Sequence, residues 1–122
     1  MARTIPLTAT ALAASLALAA PVLAGQSAAT PLAGTVGPGF TIKLAKGGTA
    51  VKTLKHGTYK ITVADKSSAH NFDFFGPGVR KMITSVPFVG TKSVTVTLKK
   101  GKYTFQCDPH AAGGMKGSVT VT

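Results

Sequence analysis

The reading of this chain turns on Tyr103-Thr104-Phe105-Gln106-Cys107-Asp108-Pro109-His110-Ala111-Ala112-Gly113-Gly114-Met115, followed by Lys116-Gly117-Ser118-Val119-Thr120-Val121. Tyr103, Phe105 and Cys107 alternate with polar residues, so they share one face of a β-strand. Val119 and Val121 mark a second such face, and Met115 has their parity. Between the two runs lies a Pro- and Gly-containing connection that no regular element would tolerate for long. Two strands joined by a loop therefore carry a thiol, an imidazole after two residues and a thioether after four more.

Upstream, the same period of two recurs in short runs. Phe40, Ile42 and Leu44 alternate before Gly47-Gly48; Val51 to Leu54 end at Lys55-His56-Gly57. Tyr59, Ile61 and Val63 alternate before a polar loop over 65–68. His70 to Phe75 run into Gly76-Pro77-Gly78, and Val94, Val96 and Leu98 into Lys99-Lys100-Gly101. Short β-branched runs with turns about every ten residues predict an all-β sandwich. The segment from Val79 to Gly90 fits no simple pattern and is read as a short helix or an irregular crossover.

The N-terminus has the pattern of an address. Arg3 precedes an apolar run from Ile5 to Ala20, and Pro21-Val22-Leu23-Ala24 offers a cleavage site. Residues 1–24 are accordingly expected to be a secretory signal peptide, placing the mature protein in the periplasm or outside the cell. Residues 25–38, rich in Gly, Ala, Ser, Thr and Pro, are expected to be a flexible leader. One domain over 39–122 remains. It contains no run of the roughly 20 apolar residues needed to cross a bilayer, so no membrane insertion is expected after cleavage.

An exported chain with one cysteine cannot close an internal disulfide, and its thiol needs protection from oxidation. A metal would provide it. Cysteine and methionine sulfur with histidine nitrogen suit copper, and two His, one Cys and a weak axial Met form the blue-copper set. The second His must be His56 or His70. His56 sits between Lys55 and Gly57 in an apparent hairpin turn, whereas His70 has the parity of Phe72 and Phe74. His70, Cys107, His110 and Met115 are therefore the candidate ligands of one type 1 copper ion. A lone inward His or Met is usually packing; the four together at this spacing are not.

Tyr103 to His110, continuing through Gly113-Gly114-Met115 and Gly117 to Val121, resembles the copper loop and last strand of the plastocyanins, and His70-Asn71 resembles their first ligand and its neighbour. The resemblance covers roughly residues 38–122 and is specific in those two segments. It implies a cupredoxin fold, an eight-stranded Greek-key barrel with copper near one end. It also implies that Asn71 ties the first-ligand strand to the Cys loop by hydrogen bonds. His110 would be the ligand nearest solvent, in an apolar patch to which Ala111, Ala112, Gly113 and Pro77 are the candidates. His70 to Gly78 is similar to small bacterial cupredoxins, and Asp73, by parity, is expected to be a surface charge facing away from the metal.

With the coordination positions filled by protein, no site is left open for a substrate. The expected function is a one-electron carrier, not an enzyme; copper storage or delivery through the same ligands is the alternative. A Cys107–His110 nucleophile pair lacks an orienting third group other than Asp108. The formal net charge of +11, from 14 basic and three acidic residues, favours redox partners with acidic docking surfaces. The resemblance departs here, since plant plastocyanins carry acidic patches. Scattered lysines without an arginine cluster or a stacking-aromatic platform exclude nucleic acid as the natural partner. The protein is expected to act as a monomer.

Overall fold

Nearly every alternating run becomes strand in the computed structural model, which describes residues 11, 13–17 and 28–122. The strands are β1 (Thr30–Val36), β2 (Ile42–Lys46), β3 (Thr49–Ala50), β4 (Thr53–Leu54), β5 (Gly57–Asp65), β6 (Phe72–Gly76), β7 (Val79–Thr84), β8 (Gly90–Leu98), β9 (Gly101–Gln106) and β10 (Lys116–Val121). A 3-10 turn spans Asp108–Gly113. One sheet has the order β3-β2-β1-β5-β8 and the other β4-β10-β9-β6-β7. They pack face to face as a β-sandwich, with eight strands of five residues or more and two of only two.

The alternation decides what lies between the sheets. Leu32, Val36, Leu44, Tyr59, Ile61, Val63, Val96 and Leu98 come inward from the first sheet. Phe72, Phe74, Ile83, Tyr103, Phe105, Val119 and Val121 meet them from the second. Facing aromatics on neighbouring β6 and β9 stack in pairs, Phe72 on Phe105 with centroids 5.9 Å apart and Phe74 on Tyr103 at 5.6 Å. Each such pair adds about 0.5–1.5 kcal/mol beyond the area it buries.

Two stretches differ from expectation. Residues 30–36, expected to lie in a flexible leader, form β1, which pairs antiparallel with β2 and parallel with β5. Its small-residue composition hides a period of two: Leu32 and Val36 are 2% and 0% exposed. A leader would forgo about 1.5–3 kcal/mol for each side chain so buried. Val79 to Gly90 holds no helix; β7 pairs with β6, and residues 85–89 form a short connection into β8. The expected signal peptide and residues 25–27 lie outside the described residues, except for 11 and 13–17, which carry no regular structure.

Strand register gives the sandwich two distinct ends. Val36 pairs with Asp65 and Asp65 with Gly90, while Phe72 pairs with Thr84 and Lys116 with Gln106. The connections 37–41, 66–71, 85–89 and 107–115 therefore meet at one end. At the other end lie the start of β1, the β2–β3, β6–β7 and β8–β9 turns, and the approach to β5.

Candidate metal centre

Three of the four predicted ligands converge at the first end, each from a different backbone context. Cys107 follows the last residue of β9 with its side chain on the inward face, fully buried. His110 lies in the 3-10 turn that begins just after it, with Pro109 in the first positions. His70 ends a tight loop: the Ser67 amide donates to Asp65 Oδ1 at 3.1 Å, the Ala69 amide to Ser67 Oγ at 3.2 Å and the His70 amide to the Ser67 carbonyl at 3.3 Å. Side chains that hydrogen-bond their own backbone two residues on are what such turns are made of.

The donor atoms form a nearly equilateral triangle. The Nδ1 atoms of His70 and His110 are 3.0 Å apart, and Cys107 Sγ lies 3.6 Å and 3.4 Å from them. A point equidistant from all three would sit about 1.9 Å from each, close to the roughly 2.0–2.3 Å of metal bonds to imidazole and thiolate. His70 and Cys107 are buried and His110 is half-buried, so the last faces solvent. His56, the rejected alternative, is exposed at the opposite end, where its Nδ1 lies 3.0 Å from the Thr122 backbone oxygen.

The loop braces itself. Cys107 N–H donates to the Met115 carbonyl at 3.0 Å, and Met115 N–H to the His110 carbonyl at 3.2 Å. Gly114 takes the left-handed conformation, φ 99°, that lets its amide reach back to Ala111 and reverse the chain. Asn71 clamps the other side: its Oδ1 accepts from the Asp108 amide at 2.7 Å and its Nδ2 donates to Asp108 Oδ2 at 2.9 Å. Asn71 is 1% exposed, so losing either bond would strand a buried polar group. Met115 is buried and lines a cleft of about 290 Å³ together with Phe40, Pro109 and His110.

Phe40 is the residue the sequence did not reveal as part of this end. Its alternation with Ile42 and Leu44 suggested a strand, but β2 begins at Ile42 and Phe40 stands in the preceding loop, 73% exposed. Its ring meets His70 and His110 edge to face, with centroids 5.4 Å and 4.9 Å away. Gly37, in the same loop, adopts φ +72°, and a Cβ there would come within 3.0 Å of Ser67 and 3.3 Å of the His70 ring.

Two surface expectations are corrected. Asp73 is 2% exposed, not a free surface charge: Arg80 reaches over it with a 3.0 Å ion pair, and Gln106 is its partner on β9. Burial, with the neighbouring Asp108 carboxylate, pushes its pKa up despite Arg80. Burial pulls Asp108 the same way, but hydrogen bonds from Gln106 and Asn71 outweigh it and hold Asp108 below the usual carboxylate range. Pro77 cannot join an apolar patch beside His110, because β6 carries the chain from the His70 end to the opposite one before the Pro77 turn.

Residues 48–122 match the copper-binding proteins of the plastocyanin/azurin family. The chain belongs to that family. Its cofactor is one type 1 copper, and the His70–Cys107–His110 triangle supplies the donor set that such an ion requires. Plastocyanin of Daucus carota is 66% identical over 32 residues, a stretch that covers 25% of this chain and 33% of the plant protein's own length. Among solved structures, reduced rusticyanin superposes with a TM-score of 0.54 at 24% identity, over 75% of this chain and 78% of rusticyanin. Dithionite-reduced auracyanin from Roseiflexus castenholzii gives 0.54 at 22% identity, over 79% and 99%. At that identity the two structures share the cupredoxin fold with this blue copper protein. No helix among the described residues is long and apolar enough to cross a membrane.

Proposed function

We propose that this blue copper protein is a one-electron carrier between redox partners outside the cytoplasm, and that His70, Cys107, His110 and Met115 would hold the copper. The observation that carries the reading is the donor triangle, set by strand ends and a braced loop. A bound copper ion supplies a one-electron couple, Cu(II)/Cu(I).

The protein's own residues hold the donors in place whichever oxidation state is present. Cys107 is fixed by its strand and by the Met115 carbonyl, His110 by the Pro109 turn, and His70 by the Ser67 turn and Gly37 packing. Asn71 locks the two ligand segments to each other, and supporting contacts of this kind orient metal ligands. Burial of Met115 beside the cleft that His110 also lines supports its thioether as the fourth residue that would hold the ion. His110 is the exposed edge of the triangle, and Phe40, Ala111, Ala112 and Gly113 make the surface around it apolar, suited to close approach of a partner. The rusticyanin and auracyanin structures are of reduced proteins, which accords with a redox role. The apolar run Ile5–Ala20 supports export.

Electrochemistry of the copper-loaded protein distinguishes a carrier from a storage or delivery protein with the same ligands. The carrier reading expects a reversible couple, fast self-exchange and copper retained against a modest chelator. Prompt copper loss to that chelator would contradict it.

A further inference from the structure

Charge on this molecule is segregated along the long axis of the sandwich. All three acidic residues of the chain lie in the copper half: Asp65 ends β5 there, Asp73 lies near the start of β6 and Asp108 opens the copper loop. The far end has none. Its turns and strand termini instead carry Lys46, Lys52, Lys55, Lys99, Lys100 and Lys102, all exposed. The one ion pair among the described residues is Arg80–Asp73, so none of these six ammonium groups is neutralised by a carboxylate. Six unpaired cations on one pole make a field that reaches about a Debye length, roughly 8 Å at physiological salt.

Two further features fall on the same pole. An open groove of about 800 Å³ is lined by Lys46, Lys55 and His56 together with Thr30, Thr58 and Thr122. It gives a phosphate-bearing headgroup a concave, cationic seat. The described fold also begins here, since Thr30 pairs with Tyr59 at the far end of β5. The preceding sequence carries the apolar run Ile5–Ala20.

We infer that the lysine pole is a docking surface for anionic phospholipid headgroups, which seats the protein on a membrane with its copper end facing away. An acidic protein partner would be served equally by six lysines; what favours the bilayer is that the apolar run joins the fold at this pole. The sequence order thus brings a membrane that holds the run to this side of the domain, where the lysines suit an anionic surface. Clustered lysines near an anionic leaflet contribute additively and are salt-sensitive. The copper end stays free for redox partners, so carrier and anchor functions occupy opposite poles.

The test is co-sedimentation of the copper-loaded protein with vesicles of phosphatidylglycerol and phosphatidylcholine, against pure phosphatidylcholine, at low and high salt. Binding is expected only to the anionic vesicles and only at low to moderate salt. Lys46/Lys55/Lys100→Gln should weaken it about tenfold or more. Lys43/Lys66/Lys92→Gln, which removes the same charge from the copper half, should weaken it far less. The blue absorption of each variant reports that it is folded, and reduction of bound protein by ascorbate should proceed as fast as in solution. Equal loss in both triple variants, binding to soluble polyglutamate but not to vesicles, or slowed reduction on the membrane would each overturn the proposal. None of these outcomes depends on which redox partner the protein serves.

Discussion

The two ends of the sandwich are built from the same kind of connection, yet a loop glycine at one end and a turn glycine at the other have very different surroundings. Gly37 and Gly47 show the difference. Both have left-handed backbone, at φ +72° and +57°. A side chain at Gly37 would press on Ser67 and the His70 ring, whereas one at Gly47 would meet nothing within 4 Å. At Gly47 the backbone has only to turn the chain. At Gly37 the loop residue is also a wall for a ligand, so backbone choice and metal chemistry are coupled there.

Substitution at these glycines gives the largest expected contrast. Gly37→Val should cost about 1–2 kcal/mol for its backbone and a further 1–3 kcal/mol for overpacking, and should perturb the blue absorption by moving His70. Gly47→Val should show only the backbone cost and leave the spectrum unchanged. Denaturant unfolding and visible spectra check both, and an equal spectral change in the two variants would break the comparison.

Asn71→Ala comes next. It leaves the Asp108 amide and Oδ2 without their partner, at a cost of about 1–3 kcal/mol, and should weaken copper binding about 10–100-fold. Competition with a copper chelator measures the second effect. Retention of wild-type affinity would mean that the loop holds its shape without the clamp.

Phe40→Ala should leave stability within about 0.5 kcal/mol, as for most exposed positions, because the ring is largely in solvent. It should nonetheless shift the reduction potential and the self-exchange rate, since it strips the edge contact from both imidazoles. If neither quantity moves, Phe40 is only a bystander.

The smallest effect concerns Asp73. Because burial raises its pKa, the folded state holds the proton more tightly than the unfolded state. Its contribution is therefore most favourable at low pH and is lost as pH rises through the folded-state pKa. Asp73→Asn should flatten that part of the stability profile. A wild-type profile that instead rises relative to the variant would show that Arg80, not burial, governs the group.

What was legible in the sequence follows from distance along the chain. Cys107 and His110 lie on one short loop, and their spacing, with the family resemblance, singled out both. His70 was reached by parity, which works for any half-buried strand and its flanks. Phe40 was not, because its contact with residues 70 and 110 exists only once β1 lies between β2 and β5. Strand β1 was hidden by its Thr, Ala, Gly and Pro residues, although Leu32 and Val36 already had matching parity. Parity failed at Asp73 for a different reason: a residue on the outer face of a sheet can still be buried by its neighbours, here Arg80.

Adding copper(II) to the purified protein and recording its visible spectrum tests the central claim most directly. An intense blue absorption at one copper per chain, abolished in Cys107→Ser, is the expected result. A pale spectrum in the wild-type protein, or a blue one that survives removal of the thiol, would contradict it.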